Sequence, residues 1–334
     1  MRKILIHCAA TLCFTAVLPP AAMANGTSDS PADRHHPPFD GKYRFRTIDV
    51  PDATGTAAYG INDAGAVVGR FFHPQLPGQF SLNHGFLLKN GQFTTIQYPP
   101  APGDDSDIAE TAYDINNQGV IAGGYRIGHG FNYAFLLEGG VYSTIPQPDP
   151  TIYVSSANGI TDAGTIAGTY ISTRISDIHS YLLKQGNFST IDVPDAIATY
   201  ANGINNAEDV VGEYIGSDAK QHGYLSSGGS VTNIDRPGAD TTTPYGINAR
   251  GQIAGAYREA GATHGFVLAS GSYLTIDYPG ATSTEVFGIN NKGEVVGDYL
   301  DADGRRHGFI AFPRHHAKNQ EEGRGSMLMS PFSQ

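Results

Sequence analysis

Apolar and polar residues alternate in short bursts along this chain, and the bursts recur. The stretch "VFGINNKGEVVGDY", Val286 to Tyr299, reads as a strand, a turn and a second strand. Near-copies stand at "AYGINDAGAVVGRF", "AYDINNQGVIAGGY", "ANGITDAGTIAGTY", "ANGINNAEDVVGEY" and "PYGINARGQIAGAY". Anchored on the Gly-Ile-Asn position, the copies start at Gly60, Asp114, Gly159, Gly203, Gly246 and Gly288, at intervals of 54, 45, 44, 43 and 42 residues. Each copy continues with a variable loop, a third strand of the "HGFLL" type, a tight turn such as Asn90-Gly91, and a fourth strand of the "FTTIQYP" type. An Asn-Gly turn between alternating apolar residues makes the third and fourth strands neighbours in one sheet. The closing Pro ends the fourth, since it donates nothing to a ladder.

Four strands in a unit of about 40–45 residues is the period of a propeller blade. The counts at the two ends are out of phase. The last repeat stops at "HGFIAF", His307 to Phe312, while the chain opens on an unattached "FRTIDVP", Phe45 to Pro51. The expectation is an all-β, six-bladed propeller in which the N-terminal strand completes the last blade, leaving few open edges. An open solenoid is the alternative, and it would strand that segment. The "GIN" strand is expected innermost, where Gly lets six strands crowd an axis.

The pattern "GIN..G.VVG.Y......HGFLL" resembles the HAF repeat of exported bacterial proteins over roughly residues 45–312. The triplet here is mostly His-Gly-Phe, with the Ala form at Tyr133-Ala134-Phe135. The resemblance implies export and a repeat β architecture. It brings no catalytic residue set.

The ends change the picture further. Arg2 and Lys3 precede an apolar run from Ile4 to Leu18, and Ala22-Met23-Ala24 follows as a small-x-small site. That reads as a secretory signal peptide over 1–24, cleaved after Ala24, with delivery to the periplasm or the exterior. Both cysteines, Cys8 and Cys13, fall inside it, so the mature chain holds no disulfide. Residues 25–42 and 314–334 read as disordered flanks of a propeller over 43–313. Loss of Arg2 and Lys3 takes the formal charge from −11 to −13. An acidic surface excludes nucleic acid and anionic lipid as partners, and no second apolar stretch suggests a membrane span. A monomer that meets a glycan or a protein ligand is the expectation.

The repeated polar residues read as scaffold. His84, His179, His222, His264 and His307, with Tyr133 at the sixth place, lie on the apolar face of the third strand. They are expected to bond backbone or a repeat Asp (Asp49, Asp192, Asp235, Asp277) rather than one metal ion. Asn62, Asn116, Asn205, Asn248 and Asn290, with Thr161 as exception, begin Asn-x-x-Gly turns and are expected to cap them. A channel role with Ca²⁺ is the rival reading, because oxygen-rich rings suit that ion. Asp301-Ala302-Asp303-Gly304 lacks the later ligands of a calcium loop and reads as a turn.

Departures from the repeat are the candidates for function. The first blade carries two long connections, "FFHPQLPGQFSLN" (Phe71 to Asn83) and "PPAPGDDSDIAETA" (Pro99 to Ala112), which belong on one face. They supply His73, Asp104, Asp105, Asp107 and Glu110, and the next blade's loop adds Arg126 and His129. This cluster is the expected ligand site, with Asp104, Asp105 and Asp107 as weak candidates for Ca²⁺. A solvated acidic loop is the plain alternative. No Gly-x-Ser-x-Gly, His-Glu-x-x-His or phosphate loop is present, and there is no tryptophan, although 18 tyrosines can stack. The reading is an exported binding module; the alternative is a metal-assisted hydrolase, lactonase or lyase at the channel mouth.

Overall fold

The fourfold alternation within each repeat folds into one antiparallel sheet per blade. A computed structural model of the chain describes residues 43–73, 83–99, 108–127, 132–147, 151–172 and 177–314. The described strands form six separate four-stranded sheets, and the chain is a six-bladed β-propeller.

β1 (Tyr43–Ile48) stands alone at the start. Blade one is β2 (Gly55–Ile61), β3 (Val67–Phe72), β4 (Asn83–Lys89) and β5 (Gln92–Ile96). Blade two is β6 (Ile108–Ile115), β7 (Ile121–Ile127), β8 (Asn132–Glu138) and β9 (Val141–Thr144). Blade three is β10 (Ile152–Ile160), β11 (Ile166–Ser172), β12 (Ile178–Lys184) and β13 (Asn187–Thr190). Blade four is β14 (Ala198–Ile204), β15 (Val210–Ile215), β16 (Gln221–Ser227) and β17 (Ser230–Asn233). Blade five is β18 (Thr241–Ile247), β19 (Ile253–Glu259), β20 (Ala262–Ala269) and β21 (Ser272–Ile276). Blade six is β22 (Ser283–Ile289), β23 (Val295–Leu300) and β24 (Arg306–Pro313), completed on its outer edge by β1, which pairs Tyr43 with Pro313 and Ile48 with Gly308. The expected latch is therefore the observed one.

The hairpins follow from local chemistry. Asn90 and Gly91 both sit at positive φ, 54° and 78°, as a two-residue turn between right-twisted strands requires. The inner strand is crowded in the way its Gly implies. A Cβ on Gly288 would come within 2.5 Å of the Tyr59 carbonyl, and one on Gly60 within 2.7 Å of Asp114 Cα. The "GIN" strands are thus innermost. The core lies between blades, where the third-strand aromatics Phe86, Phe135, Tyr181, Tyr224, Phe266 and Phe309 are all essentially inaccessible. Each such ring contributes roughly 2–3 kcal/mol of burial. A Cβ on Gly69 would come within 2.1 Å of the Ala57 carbonyl oxygen and 2.8 Å of the Phe86 ring, so the Gly of "VVG" is a packing requirement.

Candidate functional site

Most of the repeated polar residues are committed to holding the ring together. Asn62 Oδ1 accepts from the backbone N–H of Ala64 and Ala66 at 3.1 and 3.0 Å, closing its own turn. Its Nδ2 donates to the Asn116 carbonyl of the next blade at 3.1 Å. The same step runs from Asn116 to Thr161, from Asn205 to Asn248, from Asn248 to Asn290, and from Asn290 back to Asn62. Thr161 lacks an amide and caps only its own turn. These side-chain oxygens already accept two N–H groups each, so the turn-forming reading accounts for them without a cation.

The histidines pair with carboxylates as expected. His179, His222, His264 and His307 place Nδ1 at 2.7, 2.6, 2.8 and 2.8 Å from Asp192, Asp235, Asp277 and Asp49. His222 and His307 reach a second carboxylate through Nε2, Asp218 at 3.4 Å and Asp301 at 3.1 Å. The hydrogen bond to Asp235 is the main reason His222 holds its proton above the ordinary imidazole range. Asp301 also accepts the N–H groups of Asp303 and Arg305, which makes Asp301–Gly304 the turn anticipated.

Blade one departs from this pattern and repairs the departure. Gln97 stands where blades three to six carry Asp, and Glu110, on the next blade's inner strand, supplies the missing carboxylate. Glu110 Oε2 lies 3.2 Å from His84 Nδ1, and Oε1 accepts the Tyr98 N–H at 3.0 Å. In blades three to six the corresponding backbone N–H is taken by a Thr hydroxyl, as Val193 N–H by Thr199. Blade two has lost both partners together, with Tyr133 and Pro146 in their places.

This corrects one part of the expected loop site. Glu110 lies within β6 rather than in a linker; it is wholly buried, and both oxygens are spent on the scaffold. His73 is exposed just beyond β3, its ring edge-on to Phe71 and to His84, with centroids 4.9 and 5.3 Å away. Arg126 is exposed on β7, opposite Ala109. Asp104, Asp105, Asp107 and His129 lie outside the described residues. Among the described residues no three His, Asp or Glu side chains are placed to hold a metal ion, and no helix is long and apolar enough to cross a membrane.

The asymmetry that the structure does show is inside the ring. Every inner strand bulges one residue before the "GIN" Gly, re-aiming Tyr59, Tyr113, Asn158, Asn202, Tyr245 and Phe287 towards the axis. All six are partly accessible. Tyr113, Tyr59, Phe287 and Tyr245 follow one another around the shaft with ring centroids 5.8, 4.8 and 4.8 Å apart. Asn158 and Asn202 complete the collar and donate to the Ala201 and Pro244 carbonyls at 2.7 and 3.0 Å.

Above the collar, towards the face of the second-to-third-strand loops, comes a charged tier. It is built from the residue that follows "VVG" or "IAG" in the second strand, which is Arg70, Gly124, Thr169, Glu213, Ala256 and Asp298 in turn. Arg70 lies opposite Ala57, Glu213 opposite Tyr200, and Asp298 opposite Glu285. Arg306 Nη1 donates to Asp298 and stands 3.8 Å from Glu285. The Arg70 guanidinium lies 5.5 Å over the Tyr59 ring. Burial pushes the Glu285 carboxyl to about 7, with Asp298 adding to the rise and Arg306 and Arg70 opposing it. Glu213 is raised to about 7 by burial alone, against hydrogen bonds from Thr243 and Gln221. Burial likewise holds the Tyr59 and Tyr245 phenols neutral, far above their ordinary range. Buried carboxyls with raised pKa values beside aromatic rings mark the shaft as a candidate functional site.

The opposite mouth is an open polar basin lined by the six inner-strand Ile residues and the Asn and Asp residues of the turns that follow them. Asp114 replaces Gly there and accepts the N–H groups of Ile115 and Ile160 at 2.8 and 3.0 Å. Burial raises its carboxyl to about 6 despite those bonds.

No known family and no curated protein matches the chain. Solved structures do resemble it. One is a streptogramin B lyase, 14% identical over 82% of this chain and 98% of that one, with a TM-score of 0.43. Another is the β-propeller domain of the trilobed protease of Pyrococcus furiosus, 12% identical over 78% and 94%, with a TM-score of 0.45. A mutant Aleuria aurantia lectin in complex with alpha-methyl-L-fucoside is 12% identical over 79% and 93%, with a TM-score of 0.45. At such identities the likeness is one of fold and says nothing of ligand or activity.

Proposed function

We propose that this chain is an exported ligand-binding propeller, a HAF-repeat protein, that seats the end of a glycan in the shaft at its loop face. One observation carries the reading: an aromatic collar lies directly beneath a tier of hydrogen-bonding and charged groups. Rings take the C–H faces of a sugar, and the carboxyl, amide and hydroxyl groups take its hydroxyls. Tyr59, Tyr113, Tyr245 and Phe287 form the collar; Glu213, Gln221, Thr243 and Glu285 face the ligand above it. Binding of the mature protein to an oligosaccharide panel, followed by calorimetry, tests this. Tyr245→Ala and Phe287→Ala should each weaken the best ligand at least about tenfold while the protein remains folded. Unchanged affinity in both variants would remove the shaft as the site.

A second reading rests on Glu213 and Glu285. Carboxyls poised near 7 can exchange protons at neutral pH, which an acid–base hydrolase or lyase needs. Product release from the bound oligosaccharide separates the two readings, and loss of turnover in chelator would point to the metal-assisted form.

A further inference from the structure

Charges in the shaft do not balance evenly around it. Glu285 and Asp298 share the field of Arg306 and Arg70, and Arg306 donates directly to Asp298. Glu213 stands on the far wall, on β15 of blade four, and among the described residues no Lys, Arg or His pairs with it. Its contacts are neutral: Gln221 Nε2 donates to Oε2, and the Thr243 hydroxyl bonds the same carboxyl. The titratable groups around it are Tyr200 opposite on β14, Tyr224 on β16, Tyr245 on β18 and Glu285 on β22, none of them a cation. A carboxylate taken out of water without a counter-ion is costly; such a group keeps a proton, as the raised Glu213 carboxyl does at low pH, or is paired with a cation. Tyr245 of the collar lies near it, and aromatic faces also attract cations.

Resting on the glycan reading above, we infer that the ligand carries a positive amine, as in an amino sugar, and that Glu213 receives this ammonium group over the collar. The ammonium brings the charge the wall lacks and donates to the Glu213 oxygen that Gln221 leaves free. The hydroxyls of the sugar meet the Thr243, Asn202 and Glu285 side.

Calorimetric titration of the mature protein with a glucosamine trimer and with its N-acetylated counterpart tests this. A charge-assisted contact makes the amine trimer about ten- to a hundredfold tighter. Glu213→Gln, close to isosteric, should bring the ratio of the two affinities to about one. In the wild-type protein the preference should also fade as the pH drops through about 7, because Glu213 then takes a proton. Equal affinities in the wild type, or a preference that survives Glu213→Gln, would overturn the assignment while the glycan reading stands. Failure of both trimers, and of every other oligosaccharide, to bind the wild type would overturn the glycan reading and this one with it.

Discussion

Replacing Glu213 by Gln should stabilise the free protein at about pH 8 and leave it almost unchanged at about pH 4. The carboxyl has an ordinary value of 4.5 and is pushed to about 7 by burial in the shaft wall. Between those values the folded state holds a proton that the unfolded chain has released, so stability falls as the pH rises through the window. Below it both states are protonated and the penalty vanishes; above it the penalty is complete. At about 1.4 kcal/mol per pH unit the interval sets a ceiling of roughly 3 kcal/mol. The side chain is partly accessible, and halving for water gives about 1.5 kcal/mol, or roughly 3–6 °C for a chain of this size. Gln keeps the shape and an acceptor for Gln221, so little is lost in exchange. Scanning calorimetry of both proteins at the two pH values checks it. An equal shift at both, or a loss at pH 8, would show that Glu213 is not a strained buried carboxyl.

Two further substitutions probe the scaffold. Phe45→Ala removes a buried ring of the closing strand that packs on Tyr278 and Phe309, with centroids 5.3 and 5.5 Å away. It should cost about 3–5 kcal/mol in denaturant unfolding, and a loss below about 1 kcal/mol would mean that the strand does not hold the ring. Glu110→Thr should cost about 2 kcal/mol by stripping His84 of its carboxylate. Adding Gln97→Asp to that variant should recover most of the loss by restoring the arrangement of blades three to six, and a double-mutant cycle without rescue would refute the exchange of roles.

The repeat made the blades legible because strand alternation and Asn-Gly turns are local, and the phase mismatch of "HGF" and "TID" revealed the latch. Pairing of His with Asp was equally readable, since four Asp recur thirteen residues from their histidines or, for Asp49, across the latch. The shaft was not. Arg70, Glu213 and Asp298 sit inside the constant phrase, and a search for insertions passes over a single variable letter. Glu285 and Arg306 joined them only through cross-strand register and the curvature of the ring. The bulge that turns Tyr59, Tyr245 and Phe287 to the axis also hides from a period-two reading, because it shifts the alternation by one residue. The signal was present nonetheless: among the six copies of the second-strand phrase, written "VVG" or "IAG" followed by x and Tyr or Phe, x is the position that ranges from Gly to Arg to Asp.

The sixth blade has a consequence for how the polypeptide acquires its shape. Tyr43 must meet Pro313 before the ring is whole, so the final pairing joins nearly the full length of the chain at an entropic cost of roughly 5 kcal/mol. Blades one to five can assemble as their strands become available, but the first strand waits for the last. A polypeptide cut short anywhere before β24 is left with an unpaired leading strand and an open seam. Closure therefore needs both ends of the ring: without β24, β1 has no partner strand.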